Sequence, residues 1–202
     1  MRLRKPSSAD LQLSGEIQER LTDSIQTKEK VRQSLIPAIA SAARLLIEAL
    51  EAGQKVLLFG NGGSAADCQH IAAELIGKLL VKRRALPAVA LTTDTSTLTA
   101  LANDFGYEAV FARQVEALGH AGDVAVALST SGESPNVLAA IRTARKIGLK
   151  TIALTGRDGG ALKGLVDLAV IIPSDSTQRI QEAHITIGHI LCELIEKHFA
   201  RT

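Results

Sequence analysis

The chain has 202 residues, 46% of them apolar, and carries 23 basic against 21 acidic side chains for a net charge of +2. That length suits one domain with a sizeable core, and the near-balanced charge requires neither a nucleic acid nor a membrane surface as partner. With four Phe, one Tyr and no Trp, the core must be built of Ala, Leu, Ile and Val, and base-stacking surfaces are argued against. The two cysteines, Cys68 and Cys192, are far apart and lack C-x-x-C spacing. The expectation is a reducing, cytoplasmic compartment without a disulfide framework. No apolar run follows the basic start, so no signal peptide is expected, and the longest apolar stretches are of strand length, too short for a bilayer. The basic groups Arg2 to Lys5 and Lys82-Arg83-Arg84 read as solvated faces.

In chain order, residues 1–14 are polar, contain Pro6, Ser7 and Ser8, and read as a flexible tail. Residues 15–52 are nearly free of Gly. Ile17, Leu21 and Ile25 recur at helical spacing, as do Ala38, Ala42, Leu45, Leu46 and Ala49. The spacing predicts two helices broken or kinked near Pro37, with apolar faces large enough to suggest a helical oligomer interface. Five short apolar runs follow: 55–59, 87–91, 124–128, 151–154 and 168–172, the last stopped by Pro173. Helical stretches are predicted over 64–80, 134–147 and 177–199. Runs that are apolar throughout are strands buried on both faces, and their alternation with helices makes them parallel. The expected fold is therefore α/β, a doubly wound, flavodoxin-like five-stranded parallel sheet with N-terminal helices, in a single domain spanning 15–202. In such sheets ligands bind outside the carboxyl ends of the strands.

Two loops at those ends carry chemistry. Gly60-Asn61-Gly62-Gly63-Ser64 ends the first run and opens a helix. Glycines let backbone N–H groups approach a ligand, and a helix N-terminus favours an anion. It is neither a dinucleotide fingerprint nor a Walker loop; a tight strand-to-helix turn capped by Ser64 is the plain alternative. Ser129-Thr130-Ser131-Gly132-Glu133-Ser134 follows the third run. Its hydroxyls and N–H groups can hold a dianionic phosphate without a formal positive charge, or serve as a polar capping loop. His70 and Glu74 lie one turn apart on one helix face, as a shared metal site, an acid–base pair or a surface ion pair. The last helix offers Gln181, His184 and His189. Spacing alone groups Gln181 with His184, while Gln181 and His189 are roughly 12 Å apart along a helix. Geometry permits Gln181 and His189 to meet one ion but does not choose them.

Together the stretches GNGGSAADCQHIAAEL from Gly60, LTTDTSTLTALANDFGYE from Leu91, STSGESPN from Ser129, ALTGRDGG from Ala153 and RIQEAHITIGHILCELIE from Arg179 resemble the sugar isomerase (SIS) family of phosphosugar-binding domains, and within it the phosphoheptose isomerases, over about residues 15–200. The resemblance implies an aldose–ketose isomerase acting on sedoheptulose 7-phosphate through an enediol. It implies one zinc per subunit held by His70, Glu74, Gln181 and His189, which leaves His184 a structural role or one of supporting the ligands from behind. Glu74 would shuttle the carbon-bound proton and His189 would act as general acid. Ser129, Thr130, Ser131 and Ser134 would hold the phosphate. Asn61, Gly62, Gly63, Glu74 and Gln181 would contact the sugar, with Asn103 and Asp104 in the loop after the second strand as further contacts. The same resemblance implies a homotetramer with sites at subunit interfaces and a product destined for bacterial surface polysaccharide. A non-catalytic member that binds a replication initiator, or a sugar-phosphate sensor, is the alternative; such binding members lack equivalents of Glu74 and His189.

Overall fold

The computed structural model of the chain describes residues 7–200. Helix α1 spans Ser8–Ser34 and α2 spans Ile36–Glu51. The expected tail is thus corrected in part: residues 8–14 are helical, and residues 1–6 lie outside the described residues. A reciprocal capping box between Ser7 and Asp10 starts α1, satisfying two backbone donors that polar composition alone does not reveal. The break falls at Leu35, with Pro37 in the first turn of α2, where a missing N–H costs nothing. The two helices meet at 73°, and no single helix among the described residues is long and apolar enough to cross a membrane.

Five strands follow: β1 Val56–Gly60, β2 Ala88–Ala90, β3 Val124–Ser129, β4 Lys150–Gly156 and β5 Leu168–Ile172. All pairings are parallel and the order is β2-β1-β3-β4-β5, as expected for the flavodoxin-like arrangement. Helices α3 Gly63–Ile76, α6 Pro135–Lys146 and α7 Thr177–Phe199 fall where helical spacing placed them, although α3 ends at Gly77 rather than near Leu80. Helices α4 Thr95–Phe105 and α5 Ala109–Leu118 were not foreseen.

Side-chain alternation along each strand sorts the core into two layers. Val56 and Leu58 of β1, with Val124 and Val126 of β3, face α2, α3 and α7. Leu57, Phe59, Ala125, Ala127 and Ala153 face α5 and α6. Alanines on that second face let α6 pack close to the sheet, with α5 packed against α6. Each buried Leu, Ile or Val contributes roughly 1.5–3 kcal/mol, so both layers are strongly fixed. The topological switch point lies between β1 and β3, whose ends are in register at Gly60 and Leu128. The two loops singled out from sequence therefore leave the sheet side by side.

One basic stretch is a solvated face only in part: Lys82 and Arg84 are exposed, and Arg83 between them is not. The Arg83 side chain is 1% exposed. It donates to the carbonyls of Glu74 (2.6 Å), Gly77 (2.9 Å) and Arg84 (3.0 Å). Glu196, on α7, lies 3.9 Å from the guanidinium and accepts the N–H groups of Leu79, Leu80 and Val81. Burial raises the Glu196 pKa, but those three donors and Arg83 hold it below the usual carboxylate range. A run of basic letters gave no sign that the middle one turns inward to cap the end of α3.

Candidate active site

Helix α3 opens directly from β1. Gly62, its N-cap, has φ +56, a left-handed conformation that favours glycine. Gly63 packs so closely on Gln181 that a Cβ would lie 2.7 Å from the amide nitrogen. Further along α3, His70 Nε2 is 3.1 Å from Glu74 Oε1. From α7, His189 Nε2 comes within 3.1 Å of His70 Nε2 and 3.5 Å of Glu74 Oε1. The packing of α3 on α7 thus unites residues that sequence could pair only by resemblance. Gln181, by contrast, sits against Gly63, roughly 10 Å along α3 from His70 at 1.5 Å per residue.

Two imidazole nitrogens and a carboxylate oxygen at such separations cannot all be satisfied by hydrogen bonds to one another. Ligand atoms at the corners of a zinc tetrahedron lie about 3.3 Å apart for bonds near 2.05 Å, and the observed separations of 3.1, 3.1 and 3.5 Å fit that figure. The second Glu74 oxygen, Oε2, is buried with no hydrogen-bond partner. The donor set and the orphaned oxygen both suit a borderline cation. Asp67, one turn before His70, also has a buried oxygen without a partner; burial pushes its carboxyl up against the pull of His70 and His189.

Neither cysteine joins this group as a thiolate. Burial, then the neighbouring Glu74 carboxylate, raises the Cys192 thiol above its usual range, and burial does the same for Cys68. His184 is fully buried, and its Nε2 donates to the Thr155 carbonyl at 3.1 Å. Burial lowers its pKa to about 4 against the opposing effect of that bond.

The second loop is organised by its own hydroxyls. Ser129 Oγ accepts from Gly132 N (3.2 Å) and lies 3.3 Å from Ser134 Oγ; Ser131 Oγ accepts from Glu133 N (3.2 Å). Ser134 is the N-cap of α6 yet makes no side-chain capping bond; its hydroxyl, beside that of Ser129, can turn to an anion at the positive end of the helix, while Val137 N of the first turn is taken by Asn136 Oδ1. Gly132 has φ +70, and a Cβ there would overlap the Gly159 carbonyl. Glu133 Oε1 accepts from Ala161 N at 2.6 Å. The loop after β4 therefore buttresses the loop after β3, a support the spacing of serines did not announce.

Asn103 and Asp104 are not in a loop. They occupy the last turn of α4, exposed and joined by an Asn103 Nδ2 to Asp104 Oδ1 bond of 2.8 Å. Just beyond them Tyr107 donates its hydroxyl to Asn61 Oδ1 at 3.2 Å, which brings this end of α4 to the β1 loop. Asn136, quoted within the serine-rich stretch but given no role, is 2% exposed and paired with Asn61.

Residues 21–156 match the family model described as SIS domain. The phosphoheptose isomerase of Geobacter metallireducens is 56% identical over 185 residues, 92% of this chain and 98% of that one. The chain belongs to the phosphoheptose isomerases of the SIS-domain family. Solved structures agree with this membership. The phosphoheptose isomerase of Neisseria gonorrhoeae superposes with a TM-score of 0.87 at 44% identity, covering 92% of this chain and 99% of that one. The one from Francisella tularensis gives 0.88 at 41% identity, covering 91% and 97%. Like the other phosphoheptose isomerases it is an aldose–ketose isomerase, and the cluster of His70, Glu74 and His189 is its candidate proton-transfer centre.

Proposed function

We propose that the chain converts sedoheptulose 7-phosphate to D-glycero-D-manno-heptose 7-phosphate through an enediol, at a site formed by α3, α7 and the loops after β1 and β3. The observation that carries this reading is the convergence of His70, Glu74 and His189 on the same face of the sheet as the β1 loop. Moving a proton from C1 to C2 of a ketose requires a base that reaches both carbons and an acid at the oxygens. Glu74 is the base: its carboxylate is largely buried, one oxygen is unpartnered, and its backbone is held by Arg83. His189, half-exposed and 3.5 Å from Glu74, is the acid that opens the ring and protonates oxygen. The hydroxyls of Ser129, Thr130, Ser131 and Ser134, with the N-terminus of α6, hold the 7-phosphate. The backbone at Asn61, Gly62 and Gly63, with Asn103 and Asp104 on the far side, holds the sugar.

His70, Glu74 and His189 would hold one zinc ion, with Gln181 as a fourth donor drawn from the start of α7. A bound zinc would supply Lewis-acid polarisation of the sugar oxygens. The apolar stripe of α1, with Leu13, Ile17, Leu21 and Ile25 between 58% and 68% exposed, supports a homotetramer. The reading also includes a cytoplasmic location and a product that enters nucleotide-activated heptose synthesis for surface polysaccharide.

The test is NMR of aldoheptose phosphate formation from sedoheptulose 7-phosphate, with and without added zinc. Turnover should fall in Glu74→Gln and His189→Ala by roughly 100- to 10,000-fold each, the range for removing an acid–base group. A folded protein that binds the sugar phosphate but turns nothing over under any metal condition would sink the reading.

A further inference from the structure

Resting on the proposed site, we infer that Asn136 is a positioning residue that fixes the distance between the sugar end and the phosphate end of the bound substrate. The two loops leave adjacent strands, and among the described residues no backbone hydrogen bond joins loop 61–63 to loop 129–134. Their link is a reciprocal pair of side-chain amides. Asn61 Nδ2 donates to Asn136 Oδ1 at 2.9 Å, and Asn136 Nδ2 donates to Asn61 Oδ1 at 2.8 Å. The pair is oriented from both ends. Val137 N also donates to Asn136 Oδ1 at 3.0 Å, which fixes that atom as the oxygen and so sets which way Asn136 presents its oxygen and nitrogen to Asn61. Tyr107, the single tyrosine, adds its hydroxyl to Asn61 Oδ1.

Counting donors and acceptors shows what this leaves for a ligand. An Asn side chain has two lone pairs and two N–H bonds. Both lone pairs of Asn61 are taken, and one of its two N–H groups is spent on Asn136. Asn61 can therefore offer a sugar hydroxyl a single donor, and the larger part of its side chain serves the clamp. Asn136 is 2% exposed and sits in the first turn of α6, next to Ser134, so it ties the phosphate end directly to the β1 loop. A ligand that spans both loops needs their separation fixed, since small misplacements of reacting atoms cost large factors in rate. A ligand that occupies one loop alone does not.

The experiment is a double-mutant cycle on kcat/KM for sedoheptulose 7-phosphate, run on Asn61→Ala, Asn136→Ala and the double variant well below their melting temperatures. Competitive inhibition by inorganic phosphate is measured on each, as the ligand of the phosphate loop alone. The inference predicts a loss of about 10- to 100-fold in each single variant, a double variant no worse than the poorer single within about threefold, and a phosphate Ki changed by less than about threefold. Single-variant losses that multiply in the double variant would show that Asn61 acts on substrate independently, and would overturn the inference. A phosphate Ki that rises as steeply as KM would do the same, because Asn136 would then shape only the phosphate loop. Should Asn136→Ala fail to fold, Asn136→Asp keeps the volume and the acceptor for Val137 while removing the donor to Asn61, and carries the same predictions. Ser131→Ala is run beside them: an unchanged phosphate Ki there refutes the phosphate-loop assignment and this inference with it. A raised Ki there with multiplicative losses in the cycle refutes the inference alone.

Discussion

His184 makes the stability of the protein depend on pH in a direction fixed by its burial. The ring has no exposed surface, its Nε2 bonds the Thr155 carbonyl, and its Nδ1 has no partner. Desolvation lowers its pKa from 6.5 to about 4. The unfolded chain therefore binds more protons than the native one between those values, and stability rises with pH across that window. The contribution is present above pH 6.5 and is lost as the pH falls toward 4. With about 1.36 kcal/mol per unit, the full penalty is roughly 3 kcal/mol, of which about 2 kcal/mol develops between pH 7 and pH 5. For a chain of this length that corresponds to a fall in Tm of roughly 4–8 °C. His184→Gln can still donate to Thr155 but cannot titrate. Melting curves of both proteins at pH 7, 6 and 5, at one protein concentration because assembly shifts Tm, should show a lower Tm for the variant at pH 7 and a shallower decline. Parallel declines would refute the reasoning, since the other histidines are common to both proteins and cancel in the comparison.

Two further substitutions separate support from chemistry. Arg83→Met removes the buried guanidinium that holds the Glu74 and Gly77 carbonyls and faces Glu196. It should cost about 3–5 kcal/mol of stability, read by denaturant unfolding, and lower kcat more than it raises KM in the protein that remains folded; an unchanged kcat would deny Arg83 a part in placing Glu74. Glu133→Ala should raise KM and the inorganic phosphate Ki together by several-fold at nearly constant kcat, because Ala161 N loses its acceptor. Glu133→Gln keeps that acceptor and removes a negative charge beside a dianion, so its KM should stay at or below the parent value; a rise equal to that of the alanine variant would show that the charge itself matters.

The strands and long helices were legible because their signals are local. Five short apolar runs, followed by Gly60, Thr92, Ser129, Thr155 and Pro173, alternate with helical stretches as a parallel sheet requires, and α7 follows from unbroken periodicity between 177 and 199. Helix α4 was hidden because Thr95, Ser96, Thr97 and Thr99 carry weak helix propensity, offset here by Asp94, which caps α4 through Thr97 N. Asn103 and Asp104 consequently looked like loop residues. The site divides in the same way. His70 and Glu74 share one helix and were visible as a pair, whereas His189 reaches them only through the packing of α3 on α7. Asn136, Arg83 and Glu196 act through partners 75, 9 and more than 100 residues away, and no periodicity reports a contact of that kind.

The open side of the centre bears on how an enediol is protected. His70 and His189 have side chains 52% and 41% exposed, although they flank a carboxylate that is nearly buried. An enediol in contact with bulk water is open to side reactions that closure of the site prevents. Apolar side chains share the surface near His189 with Thr186 and Glu193: Ile190 lies 38% exposed on the same helix, and Ile36 is 59% exposed at the α1–α2 corner. A second copy of the chain seated on this surface would bury those side chains and shield the histidines in one step. The cavity of about 260 Å³ lined by Val31, Ile36, Ile39, Ile187 and Ile190 offers such a copy an apolar seat. On this argument the tetramer proposed from the α1 stripe and the chemistry proposed for Glu74 are one requirement, because the apolar residues that need covering stand next to the groups that need to be kept dry.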